Sequence, residues 1–293
     1  MRDRRMGPQG DRELSDIATV AYRTPRLAGC VAVVTGGGQG IGQAISLRFA
    51  SEGADVAIVD VVDAEPACAL IAEIARSNDR SAAFSADVTK KPEVERAFSA
   101  VLKRFGRIDI LVNNVGGGGS PARPLIELDE EHWDGSLASN LKSSFLCTQA
   151  FARIAIEQGR PGKVINMSSL SGKMGTPLLG MYAVAKAGVI RLTDVFAREL
   201  AQHGITVNCV CPGVVETALT EKILARHPDI FVKAFDLTIA NGSGVREALE
   251  RKIPLGRLAT PDDVAAVTAF LASSDADYLT GQALNCNGGI ITH

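Results

Sequence analysis

Seven short apolar runs, separated by longer stretches with helical periodicity, constrain the fold of this chain more than any other feature. They lie at residues 30–35, 55–60, 81–86, 108–113, 162–168, 205–211 and 282–286. Most are almost continuously apolar and rich in β-branched residues, which is typical of parallel strands covered on both faces. Repeated strand–helix–strand units require right-handed crossovers. We therefore predict one α/β domain with a doubly wound, seven-stranded parallel sheet and helices on both faces, over residues 27–293.

The first 26 residues differ from the rest of the chain. They mix both charge signs with glycine and proline and contain no apolar segment of the kind found in a secretory signal. Asp3, Asp11, Glu13 and Asp16 argue against a mitochondrial presequence, which is poor in acidic residues. We predict a mobile N-terminal extension.

Charge and cysteine usage exclude several classes of function. A formal net charge of −2 over 293 residues gives no electrostatic reason to bind nucleic acid or an anionic membrane, and no apolar run is long enough to cross a bilayer. The six cysteines are scattered through apolar segments, and the four histidines form no cluster. Cys209 and Cys211 share one face of a predicted strand and are best interpreted as small buried hydrophobes. We expect a cytoplasmic protein without a metal ion.

A cluster of glycines follows the first predicted strand and opens the next helix, in the sequence TGGGQGIG at residues 35–42. Glycines here allow a tight turn and a close approach of the backbone to a diphosphate, whose charge is stabilised by the free N–H groups of the helix. The spacing is TGxxxGxG rather than GxGxxG. The cluster predicts a dinucleotide site, although glycines alone can also mark a simple turn.

Asp60 ends the second predicted strand, where its carboxylate can accept hydrogen bonds from the adenosine ribose and would repel a 2′-phosphate. Gln39 supplies no positive charge for such a phosphate. Both residues favour NAD(H) over NADP(H). Asp60 can also be interpreted as a strand-end or capping residue.

Tyr182 and Lys186 stand four positions apart in a helical stretch, so their side chains lie on one helix face. A tyrosine exchanges a proton with an alcohol oxygen readily only if its pKa falls toward neutrality, and a nearby ammonium group favours the phenolate. Ser169 follows the fifth predicted strand, at the sheet edge where ligands bind in such folds. Taken singly, the tyrosine–lysine spacing can arise by chance, and the serine can be a polar strand end.

Together these features resemble the short-chain dehydrogenase/reductase family, from about residue 27 to the C-terminus. The matching segments occur in the family's order: TGGGQGIG, Asp60, Asp87-Val88, Asn113-Asn114-Val115-Gly116, Asn140, Ser169, Tyr182 with Lys186, Asn208 to Gly213 followed by Thr217, and the C-terminal TGQALNCNGG. Two positions depart from the pattern. Val115 replaces the usual alanine, and Asn287 stands where an aspartate is common.

The resemblance implies a single-domain Rossmann fold, a homotetramer and four catalytic residues. Ser169 would orient the substrate oxygen, Tyr182 would exchange the proton, Lys186 would lower the pKa of Tyr182 and bind ribose, and Asn140 would hold a relay water. The residues implied to contact NAD(H) are Gly36, Gln39, Gly40, Ile41, Gly42, Asp60, Asp87, Val88, Asn114, Val115, Gly116, Tyr182, Lys186, Pro212, Gly213, Val215 and Thr217.

Substrate specificity is expected from the segments around the crevice. Residues 216–254 show helical periodicity broken at 241–244, which predicts a mobile cover. Five apolar residues near the tyrosine are pocket-lining or ordinary core residues: Leu170, Met174, Leu178, Leu179 and Met181.

The closing segment KIPLGR, at residues 252–257, is similar to that of dehydrogenases acting on small diols, polyols and hydroxyketones. We therefore expect a small-molecule alcohol or ketone substrate. A 3-oxoacyl-(acyl-carrier-protein) reductase is the alternative activity. A non-catalytic NAD-binding sensor is the alternative of another class, but such a protein would be expected to have lost Ser169, Tyr182 or Lys186.

Overall fold

A computed structural model describes residues 25–75, 80–117, 121–239 and 243–293. The predicted N-terminal extension lies outside these residues except for Pro25 and Arg26. Arg26 Nε donates a hydrogen bond of 2.6 Å to Glu52 Oε2, at the end of the first helix of the domain. The mobility of the extension stays a prediction.

All seven predicted strands are present in one parallel sheet of order β3-β2-β1-β4-β5-β6-β7. Their bounds are β1 Val31–Thr35, β2 Asp55–Asp60, β3 Ser81–Ser85, β4 Ile110–Asn113, β5 Gly162–Met167, β6 Ile205–Pro212 and β7 Ala283–Cys286. The predicted fold class is confirmed, with strand ends that differ from the sequence pattern by one or two residues.

The α-helices in the described residues alternate with the strands, as predicted. They are α1 Gly40–Ser51, α2 Glu65–Ala75, α3 Lys91–Phe105, α4 Glu130–Leu137, α5 Ser143–Glu157, α6 Gly180–Leu200, α7 Ala218–Arg226, α8 Pro228–Phe235, α9 Val245–Lys252 and α10 Pro261–Ala272. The N-terminus of α10 has the predicted capping residue: Thr260 accepts from Asp263 N, and the Asp263 carboxylate accepts from Thr260 N. None of the described helices combines the length and apolarity that a membrane span requires.

The sheet buries both faces because its strands are apolar at successive positions. In β1, Ala32 and Val34 belong to one apolar cluster, whereas Val33 belongs to the cluster on the opposite face. Phe49 of α1 packs in the first cluster and Phe151 of α5 in the second. This two-sided burial explains why the strand sequences show no polar alternation.

The strand order reverses between β1 and β4, since β2 and β3 lie on one side of β1 and the remaining strands on the other. Ligands of open parallel sheets bind beyond the carboxyl ends of the strands at such a switch point. Here that edge carries the glycine loop after β1 and the loops after β4, β5 and β6.

Residues 213–259 leave the sheet after β6 and form α7, α8 and α9 before α10 begins. Their apolar residues form a separate small cluster, which includes Val214, Phe231, Phe235 and Leu249 and reaches Leu170 beside the end of β5. The predicted helical character of this segment is therefore present. Residues 240–242, which contain the first half of the break predicted at 241–244, lie outside the described residues.

Candidate active site

The glycine loop presents bare backbone at the N-terminus of α1. Gly36 and Gly40 have φ angles of +63° and +54°, a region that side-chain-bearing residues seldom adopt. A Cβ on Gly42 would lie 2.0 Å from Gly36 O, so no larger residue fits there. Gln39 is the N-cap and forms no side-chain capping bond. The first N–H groups of α1 therefore suit a diphosphate, as the glycine spacing predicts.

The loop after β4 is fastened to the glycine loop by hydrogen bonds. Asn114 Nδ2 donates to Gly36 O at 3.0 Å, and Asn114 N donates to Thr35 Oγ1 at 3.1 Å. Val115 packs against the second apolar cluster, so its extra volume relative to alanine is accommodated there. The two loops thus form one wall of the crevice.

Asp60 is buried at the end of β2, and its carboxylate faces the glycine loop. Oδ2 accepts from Gly38 N at 3.0 Å, and Oδ1 accepts from Val61 N and Val62 N at 2.8 and 3.2 Å. Asp60 therefore holds the local backbone, as a strand-end residue would, while keeping a negative charge beside Gly38. A 2′-phosphate entering this corner would meet that charge.

Asp87 and Val88 follow β3 and adjoin the end of β2, because Ala86 N donates to Asp60 O at 3.0 Å. Hydrogen bonds from the Thr89 hydroxyl and backbone N–H lower the pKa of Asp87, with a further contribution from Lys90. Val88 is buried. The structure thus brings the predicted adenine-flanking pair to the same end of the crevice as Asp60.

The end of β5 and the first turns of α6 form a compact unit that we call the catalytic floor, residues 167–172 with 182–186. Lys186 Nζ donates to Met167 O at 2.8 Å, and Ser168 Oγ donates to Lys186 O at 2.8 Å. A Cβ on Gly172 would lie 2.8 Å from Lys186 O, so only glycine permits this approach. Ser169 caps the short helical turn Leu170–Gly172 by accepting from Ser171 N.

Burial dominates the electrostatics of the catalytic floor. It raises the pKa of Tyr182, while a hydrogen bond from the Ser169 hydroxyl acts in the opposite direction. It lowers the pKa of Lys186 to about 8. Lys186 Nζ lies 5.7 Å from the centre of the Tyr182 ring. Burial is thus the largest influence on the pKa of Tyr182 in this structure, and a lowering by Lys186 stays a prediction.

Asn140 lies in a π-helical turn, Ala138–Lys142, between α4 and α5. Its Oδ1 accepts from Gly117 N at 2.8 Å, and its Nδ2 donates to Ser136 O at 3.0 Å. Gly116 lies between the side chains of Asn140 and Lys186. No larger residue fits there, because a Cβ would lie 2.8 Å from each of these side chains. The Asn140 amide is therefore engaged by the protein through both its oxygen and its nitrogen, and its role in holding a relay water stays a prediction.

The loop after β6 extends across the crevice, and we call residues 214–221 the roof. Thr217 caps α7 by accepting from Thr220 N, and its Cγ2 would lie 3.9 Å from a Cβ on Gly40. Leu219 Cδ2 would lie 3.5 Å from a Cβ on Gly117. Val215 pairs with Ala259 as an isolated bridge. Thr217 and Leu219 thus face the walls on either side of the crevice.

Gly213, at the base of the roof, is held by the last strand. Its N–H donates to Cys286 O at 3.0 Å, and a Cβ there would lie 2.9 Å from Asn287 Cα. The Asn287 side chain accepts from Gly289 N at 3.0 Å and donates to Ile291 O at 3.2 Å. Asparagine thus completes the C-terminal turn at the position where aspartate is common.

Asn166, Thr193 and Leu219 are residues around the site that the sequence analysis did not name. Asn113 Nδ2 donates to Asn166 Oδ1 at 2.8 Å, and Asn166 Nδ2 donates to Thr193 Oγ1 at 2.9 Å, which joins β4, β5 and α6 beneath the site. A polar residue inside an apolar strand run was the available signal. Leu219 has no such signal, because an isolated leucine near a helix start is common.

The cysteine pattern is as the sequence predicts. Cys209 and Cys211 are both fully buried and pack with Val189 of α6. Within the described ranges no group of three histidine, cysteine or acidic side chains is placed to hold a metal ion.

Known proteins are similar to this chain in sequence. A family profile described as "Enoyl-(Acyl carrier protein) reductase" matches residues 36–291. The (3R)-3-hydroxyacyl-CoA dehydrogenase of Mus musculus is 39% identical over 271 residues, covering 90% of this chain and 97% of its own length. The 3-oxoacyl-[acyl-carrier-protein] reductase of Thermotoga maritima is 37% identical, covering 91% and 99%.

Two solved structures superpose on this chain over most of its length. A crystal structure described as a short-chain alcohol dehydrogenase from Sinorhizobium meliloti superposes with a TM-score of 0.80 at 32% identity, covering 91% of this chain and 98% of its own. One described as a gluconate dehydrogenase from Agrobacterium tumefaciens gives 0.78 at 29% identity, with the same coverage. The chain belongs to the short-chain dehydrogenase/reductase family of oxidoreductases.

Proposed function

We propose that the chain interconverts a secondary alcohol and a ketone with NAD(H). The observation that carries this proposal is the position of Ser169, Tyr182 and Lys186 at the carboxyl end of β5, across the switch point from the glycine loop. When bound, the nicotinamide accepts a hydride from the alcohol carbon or donates one to the ketone carbon. The chain's own residues position the substrate oxygen and move its proton.

The cofactor would lie along the carboxyl edge of the sheet. The adenosine end fits beside Asp60, Asp87 and Val88, and the diphosphate fits the glycine loop at residues 36–42. The nicotinamide end fits between Asn114 to Gly116 and the loop from Pro212 to Thr217. NAD(H) is favoured over NADP(H) because the buried Asp60 carboxylate would repel a 2′-phosphate.

Each catalytic residue has one role in this proposal. Ser169 donates a hydrogen bond to the substrate oxygen and holds it beside Tyr182. In ketone reduction the Tyr182 hydroxyl donates its proton to that oxygen, and in alcohol oxidation the phenolate takes the proton. Lys186 supplies positive charge behind the tyrosine and a donor for ribose hydroxyls. Asn140 holds Gly117 and, through it, the wall beside Lys186.

The raised pKa of Tyr182 has a direction-dependent consequence. A protonated tyrosine is the form that ketone reduction requires, so this direction is favoured near neutral pH. Alcohol oxidation requires the phenolate and should accelerate as the pH rises.

For the substrate, we propose a 3-hydroxyacyl or 3-oxoacyl thioester as the first class to test. The names of the two relatives reported above both specify acyl-thioester activities. The two relatives align with 90% and 91% of this chain. Ile223 and Leu224 of α7 and Met174 after the catalytic floor pack at the margin of the third apolar cluster. Such apolar surroundings suit an acyl chain.

A small diol, polyol or hydroxyketone is the second candidate. The KIPLGR segment favours it, and the structural neighbour described as a gluconate dehydrogenase supports a polyol-type substrate. An acyl thioester carries a long carrier group that would have to extend past the roof, whereas a small diol, polyol or hydroxyketone has no such group.

One experiment tests the activity and its substrate together. Purified protein is assayed with NADH and with NADPH against acetoacetyl-CoA and acetoin, and in the oxidative direction with NAD+ and with NADP+ against gluconate. Tyr182→Phe should retain NADH binding and lose roughly 10²-fold to 10⁴-fold in turnover, the usual contribution of an acid–base residue. Tyr278→Phe is the matched control, because Tyr278 is fully exposed.

Two results would contradict the proposal. Undiminished turnover by Tyr182→Phe would remove its catalytic role. Tight NADH binding without turnover of any carbonyl compound in the panel would favour the non-catalytic sensor instead.

A symmetric homotetramer belongs to the same proposal. Phe145 of α5 and Val184 and Val195 of α6 are each about two-fifths exposed, and Phe145 stacks on Phe196. Exposed apolar side chains on two adjacent helices suit a contact with a second copy. Analytical ultracentrifugation should show an assembly that Phe145→Glu with Val184→Glu reduces to smaller species.

A further inference from the structure

Beyond its base, the roof has few attachments of its own to the body of the domain. Val214 and Val215 at the base are buried, whereas Leu219 is about half exposed and α7 contains no buried residue. The roof is anchored at its base by the Val215–Ala259 bridge and by the hydrogen bond from Glu216 N to Ala259 O. Beyond Glu216 it depends on contacts from α8 and α9.

Helix α9 is the better anchored of these elements. Leu249 and Ala248 are buried in the third apolar cluster, together with Leu258 on the chain leading to α10. The helix therefore has one face fixed to the domain, and a side chain reaching from it can hold a less anchored neighbour.

Arg246 of α9 makes that connection. Its Nη1 donates to Glu216 Oε1 at 2.7 Å, and its Nη2 donates to Glu221 Oε1. A third carboxylate, that of Glu250 one turn further on α9, lies 3.8 Å from Nη1. Glu216 and Glu221 flank Thr217 and Leu219, the two roof residues that face the crevice walls. One guanidinium thus spans both ends of the crevice-facing part of the roof.

We propose that Arg246 is a positioning residue that holds the roof across the cofactor crevice and slows the release of the nicotinamide cofactor. The inference rests on the proposed function, because it assumes that the crevice below residues 214–221 holds NAD(H). Arg246 touches neither cofactor nor substrate. It acts through Glu216 and Glu221, and cofactor release requires the roof to move away from Gly40 and Gly117.

The network has a property that an apolar contact lacks. Its members are between about one-third and one-half exposed, so salt screens them. Screening should loosen the roof in the wild-type chain and have no further effect once Arg246 is gone. NADH binding is itself salt-dependent, so the informative quantity is the difference in salt dependence between wild type and variant.

The experiment measures the dissociation rate of NADH by stopped-flow fluorescence, for the full-length chain in low and high NaCl. Arg246→Gln should release NADH roughly three- to tenfold faster at low salt, as expected for the loss of a small ion-pair network. Arg246→Lys should be intermediate, since one ammonium group cannot hold two carboxylates in the geometry of a guanidinium. In high salt the wild-type rate should approach that of Arg246→Gln.

Arg251→Gln is the matched control on the same helix. Arg251 lies 3.9 Å from Glu247 of α9 and donates to Ser243 just before that helix, so its polar contacts with described residues stay within 243–252. It should release NADH at the wild-type rate. A double variant with Glu216→Gln should add little to Arg246→Gln, because both substitutions remove the same interaction.

The outcomes separate this inference from the proposed function. Equal NADH release by wild type and Arg246→Gln, with equal salt dependence, would overturn the role of Arg246 while leaving the dehydrogenase proposal intact. A change of the same size in Arg251→Gln would also overturn it, because the effect would then be general to α9. Failure of the wild-type chain to bind NADH at all would count against the proposed function itself.

Discussion

The catalytic floor and the roof face each other across one crevice, yet they are held by different kinds of interaction. In the floor, Lys186 and Ser168 form buried hydrogen bonds between β5 and α6, and glycine at 172 permits direct backbone contact. In the roof, Val214 and Val215 at the base are buried, but from Glu216 to Glu221 a helix cap and partly exposed ion pairs hold the chain. Buried hydrogen bonds are costly to break, whereas exposed ion pairs open readily and respond to salt.

The difference indicates which region would govern proton transfer and which would govern the entry and release of cofactor and substrate. The proposed proton transfer requires closely fixed geometry, which the buried hydrogen bonds of the floor suit. The proposed cofactor and substrate must also enter and leave, which the partly exposed ion pairs of the roof suit. Substitutions in the floor should therefore change turnover and stability, and substitutions in the roof should change binding and release.

The largest effect is expected from Lys186→Met in the floor. Loss of the cation and of its hydrogen bond to Met167 should lower turnover by roughly 10²-fold or more. Lys103→Met on the exposed side of α3 is the control and should keep wild-type turnover. Equal turnover in the two variants would break the contrast between floor and roof.

The same variant tests the burial of Lys186 through pH. Its pKa is about 8 in the folded chain against an ordinary 10.5, so the unfolded chain binds more protons between these values. Raising the pH through this range should stabilise the wild type by on the order of 3 kcal/mol, with no further gain above it. Lys186→Met should lack this rise in urea unfolding. Tyr182 is present in both proteins, whereas Cys209 and Cys211 interact electrostatically with Lys186, so the difference reports the lysine together with this interaction.

An intermediate effect, on cofactor preference, is expected from Asp60→Asn at the end of β2. The amide keeps an oxygen acceptor for the backbone N–H groups of residues 61 and 62 but removes the charge. The ratio of kcat/KM with NADPH to that with NADH should rise roughly tenfold, since a like-charge contact is removed. Asp63→Asn, on the exposed loop before α2, should leave the ratio unchanged. An unaltered ratio in Asp60→Asn would show that Asp60 acts only on the backbone.

The smallest effect is expected from Thr217→Val in the roof. Valine keeps the shape of threonine and removes the oxygen that accepts from Thr220 N, a capping bond contributing about 1 kcal/mol. NADH affinity should fall by a few-fold, while the unfolding midpoint of the domain changes little. Thr217→Ser retains the cap and is the matched control. A large loss of turnover at saturating NADH would contradict this expectation, because Thr217 would then affect turnover as the floor residues do.

The sequence predicted the parts of the molecule that follow from local pattern. Runs such as VAVVT and ILVN are apolar at every position because both faces of the sheet are covered, and this made the strands recognisable. The spacing of Tyr182 and Lys186 and the glycines after β1 predicted a candidate site at the carboxyl edge of the sheet, and the structure brings these residues together at that edge. These features depend on residues near one another in the chain.

The remainder depends on contacts between distant residues, which no periodicity reveals. Arg246 and Glu216 are separated by two helices, and the engagement of the Asn140 amide by Gly117 follows from the course of the loop after β4. Of the apolar residues near the tyrosine, Leu170 and Met181 are core residues, a distinction that only burial shows. The direction of the Tyr182 pKa shift likewise depends on burial, which the YxxxK spacing does not report.

The separate apolar cluster beneath α7, α8 and α9 has a consequence for how such a chain diversifies. Residues 216–254 pack partly on one another and meet the rest of the molecule at Leu170 and at Ile290 and Ile291 near the C-terminus. Their sequence can therefore change without disturbing the strands that carry the proposed reactive groups. Grafting the corresponding stretch from a relative with another substrate is therefore a practical way to redirect the enzyme, provided the graft preserves the turn at Gly213 and the joint at Leu258.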